Sequence, residues 1–332
     1  MSALIGLARL FYSAWINHPA NPTASFAGKT ILITGANTGL GFEAAVKFAE
    51  LGASKIILGV RSIEKGNAAK KTLEERSQRK GIAEVWQVDM ASYDSIKAFA
   101  SRASNELDGL DVALLNAGVM KFQWKTSTYG WEEMIQINAL STVLLGLLLL
   151  PKLRESSKPE NLSYLAFVSS GTYRTVKMTP EHRNSLAILD SYNNEKDFRP
   201  SPYYALSKLF LMCAMRAMAE KEGADPGVVI TSVCPGLVKT ELARDFTITP
   251  LKRFAGQILT FFQRTTEVGA RSLVSVVTLG KKGHGQFWQH DQIQKDGGIF
   301  AEADGKKLQE QISHEILDAL RKDVPDILDQ QR

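Results

Sequence analysis

The sequence predicts an α/β fold, a doubly wound parallel sheet with helices on both faces, in one domain. Three observations predict it. Short apolar, β-branched runs alternate with helical stretches along most of the chain, which is the rhythm of strands joined by crossover helices. The first such run passes into the first helical stretch through a glycine-rich turn. A chain of 332 residues with 44% hydrophobic and 23% charged side chains carries enough apolar surface for one sizeable core. That composition also excludes a disordered, collagen-like or coiled-coil chain.

The elements follow in order. Residues 29–34 (KTILIT) read as a buried strand, 42–51 as a helix closed by Gly52, and 55–60 as the second strand. A polar helix over 62–79 is closed by Gly81, and is followed by a strand at 84–88, a helix at 94–107 and a strand at 111–115. A long apolar helix covers 131–153, its run at 143–150 ended by Pro151. The fifth strand is 163–168, the next helix 203–222 and the sixth strand 228–233. Residues 172–202 break the rhythm, being polar and turn-rich with no clean period; a long insertion of that kind in a compact domain is usually functional. Gln286, Phe287 and Trp288 form a short strand, Gly297 and Gly298 a turn, and 306–322 an amphipathic helix. The expected organisation is an N-terminal helix or extension over 1–27, a main domain over 28–300 and a helical tail over 301–332.

Composition narrows the function classes. The net charge of +5 is a weak bias. The densest basic cluster, Lys70 and Lys71 through Arg79 and Lys80, has Glu74 and Glu75 inside it, so it reads as a solvated helix face and not as a nucleic-acid footprint. Two cysteines, Cys213 and Cys234, make no disulfide framework, and five scattered histidines lack ligand spacing, so no metal is expected. A reducing, cytoplasmic setting is the default. Residues 3–16 (ALIGLARLFYSAWI) fall short of the roughly 20 apolar residues a membrane span needs. They read as a helix packed on the body of the protein, with attachment to the surface of an intracellular membrane as the alternative. The run at 143–150 reads as a buried helix at a subunit interface, which fits a homodimer.

Thr34-Gly35-Ala36-Asn37-Thr38-Gly39-Leu40-Gly41 lies between the first strand and the first helix. Glycines there allow a tight turn, close approach of a pyrophosphate and close packing of helix on strand. The helix N-terminus adds free N–H groups and a partial positive charge for phosphate. The strand–turn–helix context is what gives the motif weight. Further blocks follow: Leu115-Asn116-Ala117-Gly118 ending the fourth strand, Asn138 in the long helix, Ser169-Ser170 ending the fifth strand, Tyr204 with Lys208, and Pro235-Gly236-Leu237-Val238-Lys239-Thr240 after the sixth. In this order, over about residues 28–300, the chain resembles the short-chain dehydrogenase/reductase family, whose blocks read TGxxxGxG, NNAG, YxxxK and PG. Leu115 departs from the first Asn of the second block. The resemblance implies a Rossmann-type fold and an oxidoreductase.

Tyr204 and Lys208 share one helix face at their spacing. A free tyrosine titrates near 10, too high for acid–base work at neutral pH, and a nearby ammonium favours the phenolate. The resemblance implies that Tyr204 gives or takes the proton and that Lys208 holds the nicotinamide ribose and tunes Tyr204. It implies that Ser170, at the carboxyl edge of the sheet, polarises the substrate carbonyl. Asn138 resembles the residue that holds a water in a proton relay; otherwise it reads as a core asparagine satisfying backbone. Gly35, Asn37, Thr38, Gly39, Leu40 and Gly41 would cradle the cofactor, and Asn116, Ala117 and Gly118 would line its cleft. Asp89 resembles a residue near adenine, or else caps a helix. Val238 and Thr240, after Pro235 and Gly236, resemble carboxamide contacts.

The second strand ends Leu58-Gly59-Val60-Arg61-Ser62, with no acidic residue to bind both ribose hydroxyls and repel a 2′-phosphate. Arg61 stands where a cation can pair with phosphate, so NADP(H) is the expected cofactor. The long gap between Ser170 and Tyr204 resembles the retinol-dehydrogenase-like branch, and the insertion that fills it would sit beside the site and gate it. Phe246, Phe254, Phe261 and Phe262 would form an apolar lid, or else simply pack. The expected function is NADP(H)-dependent interconversion of a ketone or aldehyde and an alcohol on a hydrophobic small molecule, as in tailoring enzymes of secondary metabolism. The alternatives are a membrane-surface retinol- or steroid-type dehydrogenase and, from another class, a non-catalytic dinucleotide-binding regulator. The presence of Asn138, Ser170, Tyr204 and Lys208 together weighs against the regulator.

Overall fold

A computed structural model describes residues 18–239 and 263–325. The strands are β1 (Thr30–Thr34), β2 (Lys55–Val60), β3 (Ala83–Gln87), β4 (Val112–Leu115), β5 (Ser163–Val168), β6 (Val228–Cys234), β7 (Phe287–Gln289) and β8 (Gln292–Ile293). They form one sheet in the order β3-β2-β1-β4-β5-β6-β7-β8, parallel throughout except for the hairpin pairing of β7 with β8. The strands β1, β2, β4, β5 and β6 are almost wholly buried, because helices cover both faces of the sheet.

The helices are α1 (Gly39–Glu50), α2 (Ile63–Ser77), α3 (Tyr93–Glu106), α4 (Thr142–Ser156), α5 (Pro180–Arg183), α6 (Ile188–Ser191), α7 (Pro200–Glu222), α8 (Thr266–Ser275) and α9 (Gly305–Asp323). One core cluster joins α1, α2 and α8 to the sheet, and the other joins α3, α4, α7 and α9 to the opposite face. Serine caps set two of the starts: Ser62 accepts from the Lys65 N–H and Ser92 from the Ser95 N–H, each satisfying a donor the helix cannot. Gln78, in the left-handed region at φ 57, ends α2, ahead of the Gly81 that the sequence points to. α1 begins at Gly39, three residues before the expected start, so the glycine motif supplies its first turn. α8 and β8 were not foreseen.

Pro151 lies inside α4 and does not end it. A proline there removes one helix hydrogen bond, and the buried Leu153 holds the next turn in place. All residues from 143 to 150 are buried within the chain. The subunit-interface expectation for this run is therefore corrected: its side chains are consumed by the chain's own core and present no apolar face to a second copy. The stretch Ile135–Ser156 is long and apolar enough to cross a membrane, but 94% of its most apolar window is buried, as in a core helix.

The insertion is folded. Ile188 and Leu189 of α6 are buried, and their N–H groups donate to the Glu315 carboxylate of α9 at 3.0 and 2.7 Å. Arg183 pairs with Asp304 at the start of α9. The Asn193 side chain accepts from the Glu132 N–H at 2.9 Å and donates to the Gly130 carbonyl at 2.8 Å, which ties the insertion to the approach to α4. Residues 3–16 and Phe246, Phe254, Phe261 and Phe262 lie outside the described residues.

Candidate active site

Strands β1 and β4 are neighbours, but their onward connections lead to opposite ends of the sheet. In open α/β sheets that switch point opens a crevice at the carboxyl ends of the strands. Thr34, the last residue of β1, closes its floor: its hydroxyl accepts from the N–H groups of Asn116 and Ala117, both at 3.0 Å. The Asn116 side chain returns a bond to the Thr34 carbonyl at 2.9 Å. At Gly41 a Cβ would fall 2.5 Å from both the Asn116 amide nitrogen and the Gly35 carbonyl oxygen, so only glycine lets α1 start this close to the end of β4. Thr38 at the start of α1 makes no side-chain cap and the first turn has no acidic residue, a chemistry suited to an anion.

The Gly35 N–H donates to the Gly59 carbonyl at 2.8 Å, which brings the end of β2 beside the glycine turn. Arg61 is exposed just beyond it. Asp89 caps the turn leading to α3, its Oδ1 accepting from the Ala91 N–H at 3.0 Å and its own N–H donating to the Ser95 hydroxyl at 2.9 Å. Asn37 and Thr38 sit in the turn itself and Leu40 in the first turn of α1. A Cβ on Gly269 of α8 would approach Leu40 to 2.8 Å and Val238 to 2.6 Å. Gly269 thus leaves room for both the start of α1 and the segment after β6. Thr240 lies outside the described residues.

Ser170 follows β5 and lies beside the Tyr204 phenol; its Oγ accepts from the Thr172 hydroxyl at 3.0 Å. Lys208, one turn along α7, is 4% exposed, with Nζ 5.9 Å from the centre of the Tyr204 ring and donating to the Val168 carbonyl at 2.9 Å. A Cβ on Gly118 would meet Asn138 Oδ1 at 3.1 Å and Lys208 Nζ at 3.6 Å, so Gly118, Asn138 and Lys208 gather at one point. Asn138 lies in a π-helical run, Ile135–Ser141, that leads into α4, a distortion frequent at functional sites. Its side chain accepts from the Val119 N–H at 2.8 Å and donates to the Val119 carbonyl at 2.8 Å and the Ser207 hydroxyl at 3.0 Å. The side chain thus satisfies backbone at the exit of β4 and links it to α7.

Burial pushes the Tyr204 phenol above its ordinary value, the neighbouring Cys234 adds to this, and the Ser170 hydroxyl opposes it. Burial also pushes the Lys208 ammonium down to about 8. The expected lowering of the phenol by the ammonium is therefore not what dominates here, because desolvation penalises both charged forms and Nζ is turned to the Val168 carbonyl.

Two residues missing from the sequence analysis as site components complete the floor. Cys234, the last residue of β6, accepts at Sγ from the Gly171 and Gly236 N–H groups, both at 3.4 Å. Arg264 packs against Gly236 and Pro235. Adjacency to Pro235 was a signal for Cys234; nothing local marks Arg264. The residues present fit a dinucleotide on two counts, the clearance at Gly41 and the uncapped N-terminus of α1.

A family model described as short chain dehydrogenase matches residues 29–171. The short-chain dehydrogenase/reductase ffsI of Aspergillus flavipes is 42% identical over 322 residues, covering 96% of this chain and 93% of that protein. The short-chain dehydrogenase/reductase phmF of Phaeosphaeria nodorum is 44% identical over 313 residues, covering 94% and 92%. Among solved structures, salutaridine reductase from Papaver somniferum aligns with a TM-score of 0.61 at 22% identity, over 79% of this chain and 99% of that one. The RhlG/NADP complex of Pseudomonas aeruginosa aligns with a TM-score of 0.61 at 21% identity, over 81% and 96%. At these identities the two structures speak to the fold.

Proposed function

The chain belongs to the short-chain dehydrogenase/reductase family, and we propose that it uses NADP(H) to interconvert a ketone or aldehyde and an alcohol on a hydrophobic small molecule. The observation that carries this is the convergence of Ser170, Tyr204 and Lys208 with Gly118 and Asn138 at the carboxyl edge of the sheet. The likeness to a protein solved with NADP and the lack of an acidic residue at the end of β2 support the choice of cofactor. The fungal source of the relatives agrees with a tailoring role in secondary metabolism in a cytoplasmic setting.

Bound in the crevice, the dinucleotide supplies the hydride donor or acceptor. In the reducing direction the Ser170 hydroxyl donates to the substrate oxygen and Tyr204 gives that oxygen its proton. Lys208 holds the nicotinamide ribose, and its charge offsets the burial that keeps the phenol weakly acidic. Asn138 holds the Val119 turn against α7. Gly35, Asn37, Thr38, Gly39, Leu40 and Gly41 present the α1 N-terminus to the pyrophosphate, and Arg61 pairs with the 2′-phosphate. Asp89 would lie toward the adenine, Asn116 and Ala117 would line the cleft, and Pro235, Gly236 and Val238 would face the nicotinamide.

Fluorescence titration with NADPH and NADH, on wild type and Arg61→Glu, tests the reading. Wild type should prefer NADPH, and the preference should narrow by about tenfold or more in the variant, the worth of a hydrogen-bonded charge pair. Equal or tighter NADH binding by wild type would overturn the role of Arg61. Binding of neither dinucleotide would overturn the reading, and binding without turnover of any carbonyl or alcohol would favour the regulator.

A further inference from the structure

We propose that Arg264 is a positioning residue for the nicotinamide end of the cofactor, acting through the turn at 235–239; this rests on the dinucleotide reading above. Arg264 is 3% exposed, although a buried guanidinium is costly unless its surroundings are arranged for it. Its backbone pairs with the turn: the Arg264 N–H donates to the Leu237 carbonyl at 2.8 Å, and the Lys239 N–H donates to the Arg264 carbonyl at 2.9 Å. Its side chain closes over the same turn, Nη1 donating to the Pro235 carbonyl at 3.4 Å.

Gly236 makes room for this arrangement. It takes φ +82, and a Cβ there would lie 3.0 Å from Nη1 and 3.4 Å from Cζ of Arg264. The guanidinium therefore occupies the face of the turn that a side chain would otherwise cover. On its far side Nη2 meets His290 Nδ1 at 3.2 Å. A guanidinium only donates, so Nδ1 accepts and the imidazole is neutral there. His290 itself sits in the two-residue turn between β7 and β8, at φ 55. The edge hairpin thus braces the guanidinium, and the guanidinium braces the turn.

Cys234 holds the turn from below. Its sulfur takes the Gly236 N–H and also the N–H of Gly171, the residue after Ser170. The turn that Arg264 braces is therefore tied by Cys234 to the residue after Ser170. The planar fork of arginine suits the task of meeting Pro235 and His290 at once, which a lysine point charge does not reproduce.

The test compares two ligands on wild type, Arg264→Ala and Arg264→Lys: NADPH, and adenosine 2′,5′-bisphosphate, which carries the adenosine half without nicotinamide. Arg264→Ala should weaken NADPH by about tenfold, the scale of a lost charge-assisted hydrogen bond, and leave the bisphosphate within about twofold. Arg264→Lys should recover part of the loss. Gly236→Ala, which pushes the guanidinium from the opposite side, should give the same split if Arg264→Ala fails to fold. Equal loss of both ligands, or unchanged NADPH binding, overturns the proposal. Should wild type favour NADH, the choice of NADP(H) fails on its own, and the same split is then read with NADH and AMP. Binding of no dinucleotide by wild type overturns both.

Discussion

Glu132→Gln probes the wall behind the site. Glu132 is fully buried just ahead of the π-helical run that carries Asn138. Its Oε2 accepts from the Met134 and Ile135 N–H groups at 2.9 and 3.0 Å, while Oε1 has no partner among the described residues. Burial outweighs those two bonds and holds the carboxyl up at about 7, against 4.5 for an ordinary glutamate. The folded state then binds this proton more tightly than the unfolded chain does. Stability from this group is full below pH 4.5 and is lost as pH rises through 7. At about 1.4 kcal/mol per pKa unit, the loss between pH 5 and pH 8 is roughly 2 to 3 kcal/mol. Glutamine keeps an acceptor for both N–H groups and never ionises. Urea denaturation of both proteins at the two pH values isolates the ionisation, because fixed differences between acid and amide cancel. Wild type should lose roughly 2 to 3 kcal/mol more than the variant. Parallel losses would refute the reasoning and mean that Glu132 ionises in the folded state as freely as in water.

Tyr204→Phe should lower turnover by about 10² to 10⁴ and leave NADPH titration unchanged; near wild-type kcat would remove Tyr204 as proton donor. Gly41→Ala drives a Cβ to within 2.5 Å of the Gly35 carbonyl oxygen, whereas at Gly39 a Cβ meets nothing within 4 Å. The first substitution should abolish dinucleotide binding, and the second should weaken it and lower the melting temperature through the left-handed strain of about 1–2 kcal/mol beside the pyrophosphate; unchanged binding in Gly41→Ala would contradict this. Glu315→Ala leaves the N–H groups of Ile188 and Leu189 without their carboxylate, at about 1–3 kcal/mol. Limited proteolysis should then cut the insertion faster than in wild type, and an unchanged rate would show that the carboxylate does not anchor it.

The sheet was legible because its strands are continuous buried runs, and each motif was legible because its residues are close in sequence. Tyr204 and Lys208 are one turn apart, and Gly35 to Gly41 make a single turn. What escaped notice depends on contacts between distant segments. Arg264 belongs to the turn at 235–239, and Glu315 to α6, only in three dimensions. The run at 143–150 shows the same limit from the other side. Its apolarity is plain in the sequence, but whether the apolar surface meets a second copy or the chain's own core depends on what packs over it, and here the chain covers it. α8 escaped because small residues, Gly269, Ala270 and Ser272, make up much of its buried face beside Leu273 and Val274.

The Tyr204–Lys208 pair exposes a deeper gap between motif and chemistry. Spacing alone suggests an ammonium lowering a phenol's pKa. In the fold, desolvation acts on both groups, raising the phenol and lowering the ammonium, so both are driven toward their neutral forms. A neutral phenol is the form that can donate a proton, which suits the reducing direction. It becomes a good acid only when negative charge grows on the oxygen beside it, and polar groups already fixed in place serve that charge without reorganising. Ser170 is one such group, its hydroxyl beside the phenol. Lys208 is the other, anchored on the Val168 carbonyl at 2.9 Å and, at about 8, able to hold its proton at neutral pH. Tyr204 and Lys208 can be named from four letters of spacing. Whether they work depends on the Val168 carbonyl, the Ser170 hydroxyl and the Cys234 sulfur, which only the fold brings to them.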